Sequence, residues 1–342
     1  MSVASSSTLT LTSRALVAPG PLVFRRLRLP QGATPPASLG GRRVGAGAGA
    51  LHAALLAPEG AVFDAWIGHA PAEERRHGCV RFATDGDWLH GIAEIDDCAI
   101  GLQPAAHRAY ADLFEVVAAN GCSNLLRFWN YLADINLEAD GSERYRQFNA
   151  GRQQAFIEAR RSAFEGAPAA CALGLRDGAL RVYFLAGRRP PLAIENPRQV
   201  SAYRYPGAYG PRSPTFSRAA LVDVGGGRQA LFISGTASIV GHTTVHVGDV
   251  RRQTEESLLN IAAVRQVAAE RAGVEIPVGA LVCTVYLRRA ADLGVVREVF
   301  ERAVGATSPA ARDCIYLQAD ICRTELLVEI EAHAFVPGGA VA

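Results

Sequence analysis

Apolar and polar positions alternate along the chain with two different periods, and together they predict a mixture of helices and strands. Helical spacing of apolar residues, with glycine or capping residues at several ends, is found over 104–120, 141–166, 255–271 and 292–305. Shorter apolar or alternating segments typical of strands are 22–29, 124–135, 180–185, 192–194, 231–234, 281–287, 314–318 and 326–335. The pattern predicts an α+β fold whose C-terminal half is one mixed sheet with two helices on one face.

The last predicted strand, residues 326–335, carries the most informative alternation. One of its faces is apolar, and the opposite face carries Glu329 and Glu331 beside a leucine. Two interpretations are open: the carboxylates lie on a solvated outer face, or one is held in a cleft as a proton donor with a raised pKa. Cys322 and Arg323 stand just upstream, with a further arginine before them, and this set favours a cleft.

Composition divides the chain into an N-terminal arm and two domains. Residues 1–50 contain no acidic residue and superficially match a transit peptide, but five prolines interrupt any amphipathic helix there. We therefore expect a partly ordered arm with strands at 8–12 and 22–29. A first domain over 51–200 and a second over 201–342 follow, with the boundary near Val200, where the sequence becomes irregular.

Composition also excludes several functional classes. All 35 basic residues are arginine, so the chain has neither a Schiff-base lysine nor the lysine of a P-loop. A net charge of +2 gives no reason to expect nucleic acid or a membrane surface as a partner, and no apolar run approaches a membrane span. Seven scattered cysteines without a CxxC pair argue against a zinc ribbon and are typical of reduced thiols in the cytoplasm.

Three further motifs are better explained by structure than by chemistry. His242 and His246 are four residues apart, but the sequence around them alternates like strand and turn, so we expect no zinc site. The glycine run 225–227 precedes a strand rather than a helix, which indicates a hairpin turn and not a phosphate cradle. Ser234 lacks the glycine spacing of a hydrolase nucleophile.

Two segments are candidates for binding an anion. Residues 201–222 combine three tyrosines, three arginines and three prolines in one irregular stretch. This composition is typical either of a rigid linker or of a loop that binds carboxylates, which match guanidinium groups in geometry. In the helix predicted over 141–166, Gly151 costs about 1 kcal/mol against alanine. Its presence indicates close approach of a neighbouring element, or of a ligand beside Arg152.

Two levels of sequence resemblance connect these features. Residues 203–335 resemble the Rid (YjgF-like) superfamily through SPAARDCIYLQAD followed by LLVEIEAHA. More specifically, the chain resembles the chorismatase family through NYLADIN, GSERYRQFNAGR, YRYPGAYGPRSPTFSRA and FISGTASIVGH, in this order. The resemblance implies a two-domain chorismatase-like α+β fold, in which a degenerate Rid-like N-terminal domain precedes a Rid-like C-terminal domain.

The resemblance also implies an activity: cleavage of chorismate, with pyruvate as one product and with no metal or organic cofactor. Glu329 matches the glutamate that faces the ligand cleft, and we expect it to protonate the enolpyruvyl methylene carbon. Because chorismate is a dicarboxylate, arginine-rich and tyrosine-rich walls are expected around it. The expected substrate-binding residues are Arg152, Tyr203, Tyr209, Arg212, Gly235, Thr236, Ala237, Arg312 and Arg323.

Two motif positions track the product in this family. Cys322, which precedes Arg-Thr, resembles the 3-hydroxybenzoate-forming branch, and we expect it to take part in catalysis as a selector of product. Ala237, which follows Gly-Thr, resembles the branch that forms 3,4-dihydroxycyclohexa-1,5-diene-carboxylate, here called the diene diol. The mixed pair is similar to a pigment-pathway branch that yields 3- and 4-hydroxybenzoate. We expect 3-hydroxybenzoate, with 4-hydroxybenzoate as a further product and the diene diol as the alternative.

Two alternatives come from other functional classes: an imine deaminase of ordinary Rid type and a non-catalytic small-molecule binder. The chorismatase motifs argue against the deaminase. Rid domains commonly form trimers, but in a two-domain chain the two domains can cover these subunit interfaces by packing on each other. A monomer or a homotrimer is therefore expected. The expected location is the cytoplasm, with chorismate as the partner and neither nucleic acid nor membrane.

Overall fold

The computed structural model describes residues 20–30, 37–45 and 49–338, so the strand predicted at 8–12 lies outside the described residues. The strands are β1 (Val23–Leu29), β2 (Gly40–Val44), β3 (Ala54–Ala57), β4 (Ala61–Ile67), β5 (Arg75–His77), β6 (Val80–Thr84), β7 (Trp88–Ile95), β8 (Asn124–Ala133), β9 (Glu138–Ala139), β10 (Ser142–Glu143), β11 (Ala169–Leu175), β12 (Leu180–Gly187), β13 (Leu192–Ile194), β14 (Ala219–Gly225), β15 (Arg228–Ala237), β16 (Ile239–Val240), β17 (Thr243–Thr244), β18 (Val282–Leu287), β19 (Ile315–Gln318), β20 (Asp320–Ile321) and β21 (Val328–Pro337). The helices are α1 (Leu102–Ala119), α2 (Arg144–Glu158), α3 (Val250–Ala272), α4 (Leu293–Val304) and the single turn α5 (Pro309–Arg312).

The N-terminal half forms a seven-stranded sheet in the order β20-β11-β8-β12-β7-β6-β5. Strands β8 and β11 are parallel, and the other pairs are antiparallel. Helices α1 and α2 cover the outer face, where their buried apolar residues share one core cluster with residues of this sheet. Strand β20 comes from far down the chain, so the edge of this sheet carries the segment that leads to the last strand.

The C-terminal half forms a second seven-stranded sheet in the order β13-β14-β15-β21-β18-β19-β3. Strand β21 lies at its centre, antiparallel to β15 and to β18. Helices α3 and α4 pack on the outer face, so the prediction of an α+β fold with two helices on one face of a mixed sheet is confirmed. Because β13 pairs with β14, the chain passes from one sheet to the other between Gly187 and Leu192.

The predicted N-terminal strand is part of a third sheet, with three strands in the order β1-β4-β2. Inner faces of all three sheets meet in one core. Trp66 of the small sheet lies 5.8 Å, between ring centroids, from Trp129 of the N-terminal sheet and 5.7 Å from Phe232 of the C-terminal sheet. Large aromatic side chains bury much apolar area, so this contact joins the small sheet firmly to both halves.

Two local features position the elements near the central strand. Helix α3 begins earlier than predicted, because Asp249 caps it by accepting a hydrogen bond from the backbone of Arg252. Thr254, which directly precedes the predicted helix 255–271, lies inside α3, and the helix ends at Ala272 before the left-handed Gly273. In α2, a β-carbon at Gly151 would lie 2.1 Å from the carbonyl oxygen of Gln103, so this glycine permits the close packing of α1 on α2.

Among the helices of the described residues, none combines the length and the apolar character needed to cross a bilayer.

Candidate active site

A cavity of about 520 Å³ opens where the two seven-stranded sheets meet. Its walls come from β11 and α2 of the N-terminal half, from β15 and β21 of the C-terminal half, and from the turn between β20 and β21. The irregular loop before β14 closes one side. Four arginines and three tyrosines line the cavity beside small residues of β11 and β15, so it is built for a compact polar ligand.

Glu329 reaches this cavity from the central strand β21, where it pairs in register with Ala237 of β15. The residue is only 4% exposed, so the interpretation of this strand face as a solvated surface is wrong. Its carboxyl lies over Gly235: a β-carbon there would stand 1.9 Å from Oε1 of Glu329. Within the described residues that oxygen is buried without a hydrogen-bond partner, which leaves it available to a ligand.

Glu331, two residues further on the same strand face, lies in a different environment. Arg42 Nη1 donates to its Oε1 at 3.1 Å, and Arg127 Nη2 donates to its Oε2. The hydroxyl of Tyr286 donates to Oε1 at 2.8 Å, and the thiol of Cys171 donates to Oε2 at 3.3 Å. Arg42 belongs to the small sheet and Arg127 to the N-terminal sheet, so all three sheets contribute to this buried ion-pair network.

The two carboxyl groups differ in protonation as a result. Burial raises the pKa of Glu329 to about 8, and the negative charge of Glu331 adds to the shift. Burial also opposes ionisation of Glu331, but Arg42 and Arg127 outweigh it and hold the pKa of that carboxyl at about 2. Near neutral pH, Glu329 is therefore a carboxylic acid and Glu331 a carboxylate, and a carboxyl that stays protonated at this pH can act as a general acid.

The two positions expected to select the product, Cys322 and Ala237, both line the cavity. Cys322 follows β20 at the edge of the N-terminal sheet. Burial raises the pKa of its thiol to about 12, and Glu329, which is ionised at so high a pH, adds to the shift, so the group is a neutral thiol near pH 7. Ala237 stands next to Glu329 across the β15–β21 pair, and the absence of a larger side chain leaves space beside the acid.

The arginines of the cavity carry N–H groups that lack acceptors. Arg152, on α2, is 1% exposed and donates to Asn149 Oδ1 at 2.8 Å. Its Nε, the Nε of Arg218 and Nη2 of Arg323 are buried and have no hydrogen-bond partner in the part of the chain described. The Nε of Arg146, in contrast, lies 3.5 Å from Oε2 of Glu143 and forms an ion pair with it. A buried donor left unpaired is costly. These side chains are therefore suited to an anionic ligand that supplies the missing acceptors.

Aromatic side chains of the loop before β14 hold two of these arginines. Arg323 lies 4.1 Å from the ring centroid of Tyr209 and 5.2 Å from that of Tyr205. Arg218 Nη2 donates to the hydroxyl of Tyr205 at 2.8 Å. Tyr209 in turn donates to the carbonyl oxygen of His242 at 2.7 Å. The loop is thus attached to the cavity wall through the predicted residues Tyr209 and Arg323.

Two predicted arginines do not lie in the cavity, and their predicted placement is corrected here. Arg312 ends the single turn α5 on the surface, where its side chain is exposed and donates to the carbonyl oxygen of Thr307 at 2.9 Å. Arg212 is also exposed, and Arg218, further along the same motif, takes the place in the cavity wall. An irregular loop has no fixed side-chain period, so its motif alone does not reveal which arginine points inward.

Two other predicted residues also lie outside the cavity lining. Thr236 points away from it because strand residues alternate, and its neighbours on either side occupy the cavity face. Its hydroxyl donates to the carbonyl oxygen of Ser234 at 2.8 Å. Tyr203 packs under the guanidinium of Arg204 at 5.7 Å from the ring centroid, and the lining tyrosine of that segment is Tyr205.

Several cavity residues were absent from the predicted site: Tyr145, Arg146, Cys171, Tyr205 and Arg218. Tyr145 is seven residues before Arg152, two helical turns away on the same face, and this spacing is a signal that the sequence contained. Cys171 lies on a strand that belongs to no motif, and only the contact between the two halves brings it to the cavity.

In the described ranges, no group of three His, Cys, Asp or Glu side chains is arranged to hold a metal ion.

Comparisons with known proteins agree with this architecture. A family model described as the N-terminal part of FkbO/Hyg5-like chorismatases matches residues 64–186. A 3-hydroxybenzoate synthase of Streptomyces hygroscopicus is 38% identical over 289 residues, which cover 81% of this chain and 83% of that protein. A chorismatase of Streptomyces rapamycinicus is 39% identical over 279 residues, covering 78% and 80% of the two chains.

The likeness extends to the three-dimensional structure. A crystal structure of a chorismatase at 1.08 Å resolution matches with a TM-score of 0.79 and 31% identity, covering 93% of this chain and 99% of that one. Both seven-stranded sheets therefore have counterparts in one known protein. The chain belongs to the chorismatase family.

Proposed function

We propose that this protein cleaves the enolpyruvyl ether of chorismate and releases pyruvate, with Glu329 as the general acid. The observation that carries the proposal is the neutral, buried carboxyl of Glu329, which has an unpartnered oxygen and lies in a cavity lined by arginines. Such a carboxyl donates a proton at neutral pH, which an exposed glutamate does poorly.

The arginines of the cavity are proposed to bind the two carboxylates of the substrate. Arg152 and Arg146 belong to α2 of the N-terminal half, whereas Arg218 and Arg323 lie beside the C-terminal sheet. Buried N–H groups of Arg152, Arg218 and Arg323 lack acceptors in the described structure, and carboxylate oxygens supply acceptors in the matching geometry. Arg146 is already paired with Glu143 at 3.5 Å and contributes charge to the same wall. A dicarboxylate bound between the two groups would present its connecting ether to the cavity centre.

The chemistry follows from proton transfer to carbon. Glu329 donates its proton to the methylene carbon of the enolpyruvyl group, and the double-bond electrons form the new C–H bond, which leaves an oxocarbenium ion. Attack by water gives a hemiketal that collapses to pyruvate and the diene diol, and the proton released by the water restores Glu329. Attack by the ring hydroxyl instead leads, after loss of pyruvate, to a hydroxybenzoate with no net consumption of water. Neither route changes the oxidation state of the substrate as a whole.

We propose 3-hydroxybenzoate as the main aromatic product, with 4-hydroxybenzoate as a further product and the diene diol as the alternative. Cys322 supports the aromatic products, since it lines the cavity as a neutral thiol. The identity of 38% to a protein named 3-hydroxybenzoate synthase supports the same choice. Ala237, in contrast, matches the diol-forming branch, so a mixture is expected rather than one pure product.

A coupled assay tests the proposal directly. Purified protein is incubated with chorismate, pyruvate is detected with lactate dehydrogenase and NADH, and the organic products are separated by chromatography. Pyruvate should form in amounts equal to the chorismate consumed, together with hydroxybenzoate. Pyruvate formation no faster than in the protein-free blank would overturn the proposed function. A boiled sample and the Glu329→Gln variant serve as controls for contaminating enzymes.

A further inference from the structure

The turn that carries Cys322 lies outside the regular sheet, and its position must be fixed by other contacts. It connects β20 to β21 and presents both Cys322 and Arg323 to the cavity. Backbone pairing ends at Ile321 and resumes at Val328. The side chains that hold this turn therefore decide where the thiol stands relative to the substrate.

Arg288 is the principal contact of the turn. It follows β18 directly and does not line the cavity. Its Nε donates to the carbonyl oxygen of Leu326 at 2.8 Å, and its Nη2 donates to those of Ile321 at 3.0 Å and Arg323 at 2.9 Å. The last two carbonyls flank Cys322, so one guanidinium holds the backbone on both sides of the thiol.

The remaining donors of Arg288 connect the turn to the opposite wall. Nη1 donates to Asp320 Oδ1 at 2.7 Å and to Asn136 Oδ1 at 3.1 Å, and Nη2 also reaches Asn136 at 3.1 Å. Asn136 belongs to the N-terminal half and lines the cavity. All three guanidinium nitrogens are thus engaged, with five different acceptor atoms, and this planar fork cannot be reproduced by another side chain.

A second buried side chain holds the far end of the turn. Gln253 of α3 is fully buried, accepts a hydrogen bond from the backbone of Leu327 at 2.8 Å and donates to the carbonyl oxygen of Glu325 at 2.8 Å. Gln253 thus fixes residues 325–327, and strand pairing fixes Ile321. The segment between them is 322–324, where the side chain of Arg323 donates to the carbonyl oxygen of His242 at 2.9 Å. This segment is also the part that Arg288 holds, and it contains the thiol.

We propose that Arg288 is a positioning residue that sets the place of Cys322 in the cavity and thereby the ratio of hydroxybenzoate to diene diol. This inference rests on the proposed function. After the proton transfer, water and the ring hydroxyl compete for the same oxocarbenium carbon. A shift of the thiol changes the space open to water, whereas Glu329 is held by strand pairing on both sides and is not moved. Arg288 therefore affects the partition of the intermediate more than its formation.

The test is the Arg288→Lys variant, which keeps the positive charge near Asp320 but offers no planar fork to the carbonyls around Cys322. We expect the ratio of hydroxybenzoate to diene diol to fall by about threefold or more, because small displacements near a reacting centre have large kinetic effects. The KM for chorismate should also rise, since Arg323 moves with the turn, while pyruvate release continues. The matched control is Arg289→Lys at the adjacent exposed arginine, whose Nε donates to Asp292 Oδ2 at 2.9 Å and which has no contact with the turn in the described structure.

A second variant keeps the test decisive if Arg288→Lys does not fold. Asp320→Asn keeps the shape of a half-exposed partner but removes its charge, and it should shift the product ratio in the same direction. The inference would be overturned if wild-type protein released pyruvate and the ratio of hydroxybenzoate to diene diol were unchanged in Arg288→Lys and Asp320→Asn, or in the one of them that folds. If the wild-type protein itself released no pyruvate from chorismate, the proposed function would be wrong, and the inference would be wrong with it.

Discussion

Glu329 and Glu331 are two residues apart on one face of one strand, yet the first is a buried acid with a pKa of about 8 and the second a buried carboxylate with a pKa of about 2. The difference comes from their partners. Arg42 and Arg127 both contact Glu331, whereas Oε1 of Glu329 has no partner in the described chain. The carboxylate then helps to keep the acid protonated, because a second negative charge beside it is unfavourable.

Glu329→Gln should abolish turnover while leaving ligand binding largely intact. Glutamine keeps the shape of the side chain but has no carboxyl proton to donate, and loss of a general acid costs about 10²–10⁴-fold in rate. The measurements are pyruvate release and the Kd of a benzoate analogue. Glu270→Gln, at an exposed position on α3, is the matched control. Pyruvate release close to that of wild type would contradict the assignment.

The rate of pyruvate release should fall as the pH rises through about 8. The active form is the protonated carboxyl, and its pKa is raised to about 8 by burial and by Glu331. Activity is therefore kept below this pH and lost above it, by about tenfold per pH unit once the acid is ionised. The profile of kcat/KM against pH checks this. A flat profile from pH 6 to 10 would show that no such acid is required.

Gly235→Ala should reduce kcat strongly without preventing folding. The new β-carbon would lie 1.9 Å from Oε1 of Glu329, so the carboxyl must move away from its place. Misplacement of a catalytic group by 1 Å costs about 10²-fold in rate. Gly294→Ala is the control, because a β-carbon there meets no atom within 4 Å. Equal activity of the two variants would mean that the position of the carboxyl is not critical.

Arg218→Ala should lower kcat/KM for chorismate far more than Arg212→Ala does. Arg218 is buried in the cavity wall, whereas Arg212 is exposed and does not line it. Loss of one partner of a buried charge pair costs about 2–5 kcal/mol, here expected in kcat/KM. Steady-state kinetics of the two variants decide the matter. A larger loss of kcat/KM in Arg212→Ala than in Arg218→Ala would indicate that Arg212 binds the carboxylate.

Cys322→Ala should keep pyruvate release and shift the organic product toward the diene diol. Proton transfer from Glu329 does not need the thiol, but removal of sulfur opens space for water beside the ring. Chromatography of the products measures the shift, with Cys98→Ala at an exposed cysteine as the control. If the hydroxybenzoate fraction did not change, Cys322 would be only a small apolar residue of the cavity wall.

The framework of this site could be predicted from the order of the residues. Period-two alternation in the last strand placed Glu329 and Glu331 on one face, and hydrophobic periodicity predicted the sheet with its two helices. Motif positions identified Arg152, Gly235, Ala237, Cys322 and Arg323, all of which line the cavity. The strand face and the helices follow from local residue spacing, whereas the motif residues were predicted from the resemblance to the chorismatase family.

Which charged groups act on one another depends on how the three sheets pack. Arg42 comes from a short sheet near the N-terminus and Arg127 from the N-terminal half, and their contacts hold Glu331 as a carboxylate. The charge of Glu331 then adds to burial, which is the main cause of the raised pKa of Glu329. The choice of Arg218 over Arg212 depends on how an irregular loop packs, for which no periodicity exists. A pKa depends on charges within a few ångströms in space, and those charges lie up to 289 positions away in the sequence.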